Sequence, residues 1–289
     1  MNAKTGPYHI IDLAAGRRVW LNMFDLPGPR HTIFGLLEVD VTVAREFIAE
    51  HKARTGETLS FTGYLTYCLA QAVDEDKSVQ AYRKGRNQLI LFDDVNVGLM
   101  IEHKGGGKRA LMGHVIRGAN HKTYRQIHDE IRSVQSEPVP PNRGIPNWFR
   151  SVMMLPQPLP KIFISLIGIF TGRDPKIAVS MAGTVSITAV GMFGKGHSGW
   201  GITFTPQTLA LVVGGTAIKP AIIEGRVEPR EILNLTMLFD HDIIDGAPAA
   251  RFTSRLVELI ESGYGLEEMQ AQSDIKSEQT TTGTEQISA

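Results

Sequence analysis

A histidine and an aspartate, four residues apart, stand where a predicted strand gives way to a predicted helix. Residues 234–240 alternate polar and apolar side chains, which predicts a strand with one buried face. His241 keeps the parity of the apolar positions, so its ring is predicted to leave the strand along the dry inner face, where a neutral imidazole can act as a base. Asp245 and Gly246 are predicted to close the turn before the helix.

The same residues also have a structural interpretation that needs no chemistry. Aspartate is a common N-cap, so Asp245 can serve simply to start the helix. A lone histidine at a strand end is more often structural than catalytic. Spacing alone therefore favours the structural interpretation, and a catalytic one needs support from elsewhere in the chain.

Two sequence blocks resemble a known family and supply that support. Residues 240–246 read D-H-D-I-I-D-G and resemble the H-x-x-x-D-G signature of the dihydrolipoyl acyltransferases, the acyltransferase subunits of 2-oxoacid dehydrogenase complexes. Residues 183–194 read G-T-V-S-I-T-A-V-G-M-F-G and are similar to the family's G-T-F-T-I-S/T-N-x-G-M-F-G. The likeness extends more loosely from about Leu36 to Gly263. Two blocks in the family's order are far more specific than either block alone.

The resemblance implies a fold and an assembly. The expected fold is α/β, a two-layer sandwich of helices on a mixed β-sheet, as in the related chloramphenicol acetyltransferase. The expected assembly is a homotrimer whose active sites lie between subunits. Family trimers are joined into large cores by an apolar C-terminus, whereas this chain ends in a polar tail. An isolated trimer is therefore expected rather than a cubic or icosahedral shell.

The family's catalytic residues can be carried over onto matching positions. His241 is expected to be the general base, with Gly246 completing the motif. Asp245 is expected to hold the geometry of the imidazole, through the turn and through an ion pair with an N-terminal arginine, for which Arg18 is the candidate. Arg17 is the second candidate for this ion pair, and the alternative is that Arg17 and Arg18 are a solvated pair of charges.

The second block is expected to supply a hydroxyl for the oxyanion. A strand is predicted over residues 179–190, and the shared parity of Ser186 and Thr188 places both hydroxyls on one face. Thr188 stands where the family has its oxyanion-stabilising hydroxyl, with Ser186 as the second candidate. Ala189 replaces the usual asparagine, so one hydrogen bond of the family is missing there.

Two further positions depart from the family pattern. Asp242 stands where many relatives have arginine, which alters the contacts beside the base. His114 replaces a proline in a predicted strand over residues 110–117. His114 either lines a pocket or is a satisfied structural histidine, and the structural role is expected.

The chemistry follows from the properties of a thiol. The thiol of coenzyme A or dihydrolipoamide has a pKa near that of cysteine, about 8.5, so it is mostly protonated at neutral pH and a weak nucleophile. His241 can remove that proton, and the thiolate then attacks a thioester carbonyl. A Thr188 hydroxyl can stabilise the negative charge that develops on the carbonyl oxygen.

Three functions are compatible with these residues. The first is transfer of an acyl group between coenzyme A and the thiol of dihydrolipoamide on a separate lipoyl carrier protein. The second is acyl transfer by the same mechanism to a small-molecule hydroxyl or amine. The third is a non-catalytic trimeric scaffold, against which the joint presence of His241, Asp245 and Thr188 argues.

Composition excludes several other classes. Lys and Arg total 30 and Asp and Glu total 30, so the formal charge is zero and neither nucleic acid nor an anionic membrane is an expected partner. The longest apolar run, residues 162–170, is well short of the roughly 20 residues of a membrane span. Scattered histidines and the single Cys68 predict no metal site and no disulfide. With no visible signal peptide and no lipoyl domain, we expect a cytoplasmic protein without a covalently attached lipoyl group.

The composition also divides the chain into parts. Residues 1–267 are predicted to form the catalytic domain, interrupted at 138–175 by an insertion whose repeated prolines break any long regular element. The insertion is apolar enough that we expect it to pack on the domain or on a neighbouring subunit, with a pocket wall and peripheral membrane contact as alternatives. Residues 268–289 are predicted to be a disordered polar tail.

Regular elements are predicted around the two blocks. Ser60 is a candidate N-cap for a helix whose apolar stripe contains Cys68, which is therefore interpreted as a buried small hydrophobe rather than a nucleophile. Strands are predicted near residues 208–213 and 221–224, followed by the strand that carries the motif.

Overall fold

The computed structural model describes residues 31–85, 87–103, 110–137, 147–156, 158–170, 176–190 and 198–269. Contacts divide the chain into two units, residues 1–29 with 140–174 and residues 30–139 with 175–289. All described strands belong to the larger unit. Arg18 and the tail after residue 269 lie outside the described residues.

A mixed sheet forms the centre of the larger unit. The described strands are β1 (Thr32–Asp40), β2 (Tyr82–Lys84), β3 (Gln88–Ile90), β4 (Val97–His103), β5 (Ala110–Ile116), β6 (Val185–Ala189), β7 (Leu209–Ile223) and β8 (Arg226–Asp240). Six of them form one sheet in the order β1-β8-β7-β6-β4-β5, and β2 and β3 form a separate hairpin. Strand β6 runs parallel to β4 and β7, whereas the other neighbours are antiparallel. The predicted α/β fold with a mixed sheet is confirmed.

Helices cover one face of this sheet. The described helices are α1 (Thr42–Thr55), α2 (Phe61–Glu75), α3 (Tyr124–Ser136), α4 (Asn147–Met153), α5 (Leu159–Phe170), α6 (Lys176–Ala182) and α7 (Gly246–Glu261). Helices α4 and α5 belong to the smaller unit and contact each other. In the larger unit α2 contacts α1, α3 and α7, and this layer packs on the sheet. No described helix is long and apolar enough to cross a membrane.

The main core lies between the sheet and this helix layer. Leu235, Met237 and Phe239 of β8 all lie in it, as their parity predicts. The Phe239 ring packs edge-on against Phe252 of α7, with ring centroids 6.0 Å apart. The side chain of Ser60 caps α2 as predicted, because its Oγ accepts the N–H of Gly63 at 3.1 Å.

The second face of β8 is buried as well, which the alternating sequence did not predict. Asn234 and Leu238 are each 1% exposed. The segment 198–208 crosses this face: Ser198 Oγ accepts a hydrogen bond from Asn234 Nδ2 at 3.0 Å, and Trp200 Nε1 donates to the Leu37 carbonyl at 3.0 Å. Polar residues on one face of a strand do not reveal that another chain segment will cover them.

Backbone contacts fix this crossing segment on the sheet. The N–H of Gly215 donates to the carbonyl of Gly199 at 3.0 Å. A Cβ atom on Gly214 would collide with the same carbonyl and lie 2.7 Å from the carbonyl of Asn234. The pairing of β7 with β8 shifts register between Val213 and Thr216, so the two glycines lie in a bulge. Glycine at position 214 is therefore a requirement of close backbone packing.

Two predicted elements have different bounds in the structure. The strand predicted over residues 179–190 is wrong in its first part, because 176–182 form helix α6 and β6 begins at Val185. A short apolar run suits a helix as well as a strand, and Gly183, with φ of 83°, ends the helix in the left-handed conformation. The strands predicted near 208–213 and 221–224 are one continuous strand, β7.

Cys68 and Tyr64 lie at the contact between α2 and α7. Cys68 is fully buried, and burial raises the pKa of its thiol to about 12, which fits the predicted packing role. The Tyr64 hydroxyl donates to the carbonyls of Ile260 at 2.9 Å and Leu259 at 3.2 Å. These carbonyls lie in the last turn of α7, where they also accept backbone N–H groups, Leu259 from Tyr264 at 3.1 Å and Ile260 from Gly263 at 3.3 Å.

Tyr64→Phe is expected to lower the free energy of unfolding by about 1 kcal/mol, because buried carbonyls lose a donor while the ring volume is kept. Urea denaturation of the wild type and the variant, at one pH and salt concentration, measures the difference. Equal midpoints and slopes for the two proteins would show that the tyrosine contributes only its ring.

Candidate active site

Hydrogen bonds from Asp240 hold the turn that follows β8. The Asp240 carboxylate accepts the N–H of Asp242 at 3.1 Å, and the Asp240 carbonyl accepts the N–H of Ile244 at 3.0 Å. The N–H of His241 donates to the carbonyl of His31, at the start of β1, at 2.6 Å. Asp240 is 7% exposed, so the turn is tied to a buried residue at the end of the sheet.

The imidazole of His241 is held in one tautomer. Its Nδ1 lies 3.1 Å from the carbonyl oxygen of Ile244. Because a carbonyl oxygen only accepts, Nδ1 carries the hydrogen, and in the neutral ring the lone pair lies on Nε2. Nε2 is therefore the atom that can take a proton from a weak acid.

The surroundings of this ring differ from the sequence prediction. The side chain of His241 is 45% exposed in the single chain, whereas strand parity predicted a ring on the dry inner face. The strand ends at Asp240, so its alternation no longer sets the direction of the next side chain. The ring instead lies at one end of the sheet, open to an approaching molecule.

Asp245 occupies the N-cap position of α7 without capping it. Its backbone is extended, and its carboxylate makes no capping hydrogen bond. Its Oδ1 lies 3.8 Å from Nδ1 of His241, and the side chain is 87% exposed. At that distance the carboxylate acts on the imidazole through charge rather than through a direct hydrogen bond. A Cβ atom on Gly246 would meet nothing within 4 Å, so the space beside the motif is open in the single chain.

The two candidate hydroxyls lie on β6, both on half-buried residues. Val185 and Ile187 point into the main core, so Ser186 and Thr188 face the opposite side of the sheet. Ser186 Oγ lies 3.2 Å from the hydroxyl of Thr205, which belongs to the crossing segment. Ser186 is thus engaged with a structural partner.

The sheet register separates Thr188 from His241 within one chain. Thr188 pairs with Val212 of β7, and Val212 pairs with Thr236 of β8. His241 follows Thr236 by five positions, which at about 3.3 Å per residue is roughly 16 Å along the strand. Two strand spacings add about 10 Å across, giving roughly 19 Å in total. One chain does not bring the predicted base and the predicted hydroxyl together.

No sequence pattern indicates the partner of Nδ1 or the contacts of the turn. Backbone carbonyls such as that of Ile244 carry no side-chain pattern. Asp242 contacts His31 at 2.8 Å, and its departure from the family motif was the available hint. His114 is satisfied as expected, because its Nε2 lies 2.8 Å from the Glu130 carboxylate.

Among the described residues, Glu57, His128 and Asp129 are close enough together to be considered as metal ligands. Arg125 pairs with both carboxylates: its NH1 lies 2.6 Å from Glu57 Oε2 and its Nε 3.1 Å from Asp129 Oδ1. An arginine already neutralises these groups, so the cluster is a network of ion pairs.

Stability is expected to fall on acidification in two steps that this cluster sets. Burial lowers the pKa of His128 below its ordinary 6.5. Burial alone would raise the pKa of Glu57, but hydrogen bonds from Arg125 and His51 outweigh it and lower that pKa to about 2. Both groups bind protons more readily in the unfolded chain than in the folded one. The stability that His128 contributes is therefore lost as the pH falls below about 6.5, and the stability that Glu57 contributes is lost as the pH falls below about 4.5.

Urea denaturation at a series of pH values tests this. His128→Gln is expected to flatten the decline between pH 6.5 and 5, and Glu57→Gln the decline below pH 4.5. A free energy of unfolding that stays constant in the wild type from pH 6.5 to pH 5 would contradict the His128 assignment, and one that stays constant from pH 4.5 to pH 2 would contradict the Glu57 assignment.

The sequence matches one family in two segments. The family described as 2-oxoacid dehydrogenases acyltransferase (catalytic domain) matches residues 30–138 and 173–267. The second segment contains both predicted site blocks. Residues 139–172, between the two segments, lie outside the match.

Curated relatives come from three kinds of dehydrogenase complex. The lipoamide acyltransferase component of the branched-chain alpha-keto acid dehydrogenase complex of Bacillus subtilis is 24% identical, over 78% of this chain and 46% of the relative. The dihydrolipoyllysine-residue succinyltransferase component of the 2-oxoglutarate dehydrogenase complex of Bartonella vinsonii is also 24% identical, over 78% of this chain and 46% of the relative. The acetyltransferase component of the pyruvate dehydrogenase complex of Mycoplasma capricolum is 22% identical, over 78% and 44%. The chain thus spans less than half the length of these relatives.

Solved structures share the fold. The cubic core of the pyruvate dehydrogenase multienzyme complex matches with a TM-score of 0.62 and 21% identity, over 91% of this chain and 96% of that structure. The dihydrolipoamide acetyltransferase of Azotobacter vinelandii, in which a serine, a histidine and an asparagine were investigated for their catalytic role, matches with the same values. These matches confirm the predicted fold, a mixed sheet layered with helices as in chloramphenicol acetyltransferase.

Proposed function

The chain belongs to the family of 2-oxoacid dehydrogenase acyltransferase catalytic domains, and we propose that it transfers an acyl group between coenzyme A and the thiol of dihydrolipoamide. The observation that carries this proposal is the tautomer of His241. Its Nδ1 donates to the Ile244 carbonyl, which leaves Nε2 as a base at an open end of the sheet. The relatives named above are acyltransferases of dihydrolipoyl groups, which supports dihydrolipoamide as the acceptor.

The proposed reaction has two steps. Nε2 of His241 takes the proton of the acceptor thiol, and the resulting thiolate attacks the carbonyl carbon of acyl-coenzyme A, forming a C–S bond and a tetrahedral oxyanion. The hydroxyl of Thr188 donates a hydrogen bond to that oxyanion. When the intermediate collapses, the bond to the coenzyme sulfur breaks, and the imidazolium returns its proton to the departing thiolate. The reverse reaction uses the same groups in the opposite order.

Asp245 is proposed to stabilise the imidazolium that forms in the first step. Its carboxylate lies 3.8 Å from Nδ1, and opposite charges at that range attract even near solvent. Arg18 remains the proposed partner of Asp245, since a cation there would fix the carboxylate beside the ring.

The active unit is proposed to be a homotrimer with sites between subunits. The separation of Thr188 from His241 within one chain supports a site in which one chain supplies the base and its neighbour the hydroxyl. The larger unit also exposes large apolar side chains, of a kind that interfaces cover. They include Phe34, Leu36, Ile202, Phe204, Ile218 and Ile222.

The division of the chain is part of the same proposal. The catalytic domain is proposed to span residues 1–267, with 138–175 inserted into it, and 268–289 as a polar tail. Its support is that the family match stops at residue 138, resumes at 173 and ends at 267. A cytoplasmic location fits this activity.

The test follows both products, because the total thiol concentration does not change in the reaction. The protein is incubated with acetyl-, propionyl- or branched-chain acyl-coenzyme A and free dihydrolipoamide, and coenzyme A and S-acyl-dihydrolipoamide are quantified by liquid chromatography and mass spectrometry. Equal formation of both products supports the proposal. Coenzyme A release that needs a hydroxyl or amine acceptor would replace it with the second function, and no product with any acceptor would favour the scaffold.

A further inference from the structure

The turn that carries His241 is held by charged side chains that the proposed reaction does not use. Asp242 Oδ1 lies 2.8 Å from Nδ1 of His31, and Asp242 Oδ2 lies 3.6 Å from a guanidinium nitrogen of Arg83. The Asp242 side chain is 30% exposed and that of Arg83 48%. The three residues come from the turn, the start of β1 and the β2–β3 hairpin.

His31 contacts this turn twice. Its carbonyl accepts the N–H of His241 at 2.6 Å, while its ring contacts the carboxylate of the next residue, Asp242. The carboxylate therefore helps to hold the backbone to which the base itself is tied. The contact is made at the surface, since the His31 side chain is 78% exposed.

Arg83 projects from a backbone that is fixed in place. The preceding residue, Tyr82, is 7% exposed, and its hydroxyl donates to the Thr184 carbonyl, next to β6, at 3.1 Å. The carbonyl of Ala81 accepts a hydrogen bond from the Thr208 hydroxyl at the start of β7. The guanidinium thus meets Asp242 from a hairpin anchored to the sheet.

We propose that Asp242 and Arg83 form a positioning pair for the base, an inference that rests on the proposed function. The pair keeps the turn in the geometry in which Nδ1 reaches the Ile244 carbonyl. The charged groups of the turn and its contacts are the acidic Asp240, Asp242 and Asp245 and the basic Arg83 and His31. Neither Asp242 nor Arg83 touches the reacting atoms.

If the pair exists, substituting its two members should move the protonation midpoint of His241 in opposite directions. Asp242→Asn removes a negative charge from the residue next to His241 in the turn, which disfavours imidazolium, so half-protonation of His241 moves to lower pH. Arg83→Gln removes a positive charge from the contacts of the turn while Asp242 keeps its contact with His31, so half-protonation moves to higher pH. Each shift is expected to be a few tenths of a pH unit, because the pair is partly exposed and screened by salt. The double variant is expected to return close to the wild-type value.

Two readouts on the assembled protein test the pair. Histidine labelled with carbon-13, assigned with a His241→Gln spectrum, gives the protonation midpoint of the ring by NMR. The acidic limb of the pH dependence of kcat/KM gives the midpoint of the free protein kinetically, and both single variants are expected to lower kcat several-fold with little change in KM. Arg83→Lys keeps the charge and is expected to keep the midpoint.

Asp129→Asn serves as the matched control, because it also removes a carboxylate that is paired with an arginine, Arg125. Both residues lie on α3, and α3 packs on β4, which lies three strands away from β8 in the sheet. It is expected to leave the His241 midpoint in place. Single-variant midpoints that move in the same direction, or that match the control, would overturn the pair. If the wild type transfers no acyl group, the proposed function fails, while the NMR midpoints still decide whether the pair exists.

Discussion

His241→Ala is expected to lower kcat for acyl transfer by about 10² to 10⁴, because positioned general-base catalysis contributes that much. The variant removes Nε2, which the Nδ1 hydrogen bond to the Ile244 carbonyl leaves as the proton acceptor. KM for acyl-coenzyme A is expected to change little, since the imidazole acts on the acceptor thiol. Initial rates of S-acyl-dihydrolipoamide formation at saturating substrate measure the effect.

The matched control is His121→Ala. His121 is an exposed histidine on a short turn before α3, paired with Asp94 at 3.3 Å and remote from the motif. It is expected to retain wild-type rates. If the His241→Ala protein were as fast as this control, His241 would not be the general base, regardless of the family match.

Thr188→Val is expected to lower kcat by about 10² to 10³, the usual cost of losing one donor to an oxyanion, while the shape of the side chain is kept. Thr188→Ser keeps the hydroxyl and is expected to stay within a few-fold of wild type. Ser186→Ala is the neighbouring control, because the Ser186 hydroxyl is 3.2 Å from Thr205 and is expected to affect packing more than rate. Identical kcat for Thr188→Val and wild type would exclude the oxyanion role.

The distance between His241 and Thr188 within one chain allows a second test of these two residues. When His241→Ala and Thr188→Val chains are unfolded together in equal amounts and refolded, about a quarter of the interfacial sites in a cyclic oligomer should combine one intact residue from each chain. Activity near a quarter of wild type is therefore expected from two inactive parents. A mixture as inactive as its parents would mean that base and hydroxyl meet within one chain, against the sheet register.

Local patterns sufficed for elements whose side chains interact with their own neighbours in sequence. The Ser60 cap, the apolar face of α2 and the strand of Leu235, Met237 and Phe239 were all predictable, because capping and one-sided burial leave a periodic trace. The burial of Asn234 and Leu238 could not be predicted in this way, because it depends on a segment that crosses the sheet and is held there by backbone contacts.

The site was predictable in its residue types and not in its geometry. The motif identified His241 and Asp245, but strand parity placed the ring on a dry face, whereas it lies 45% exposed beyond the last strand residue. The tautomer depends on a backbone carbonyl, which has no sequence signature. The distance to Thr188 follows only from the pairing of β6, β7 and β8, which periodicity does not define.

The tight crossing at Gly214 bears on any attempt to re-engineer the enzyme for a different acyl chain. The segment that crosses there also carries Thr205, whose hydroxyl meets Ser186 two positions before Thr188. Backbone atoms at Gly199, Gly214 and Asn234 set the distance of this segment from the sheet, so main-chain atoms limit the room beside Thr188, the proposed oxyanion donor. Libraries aimed at bulkier thioesters should therefore leave Gly199 and Gly214 unchanged.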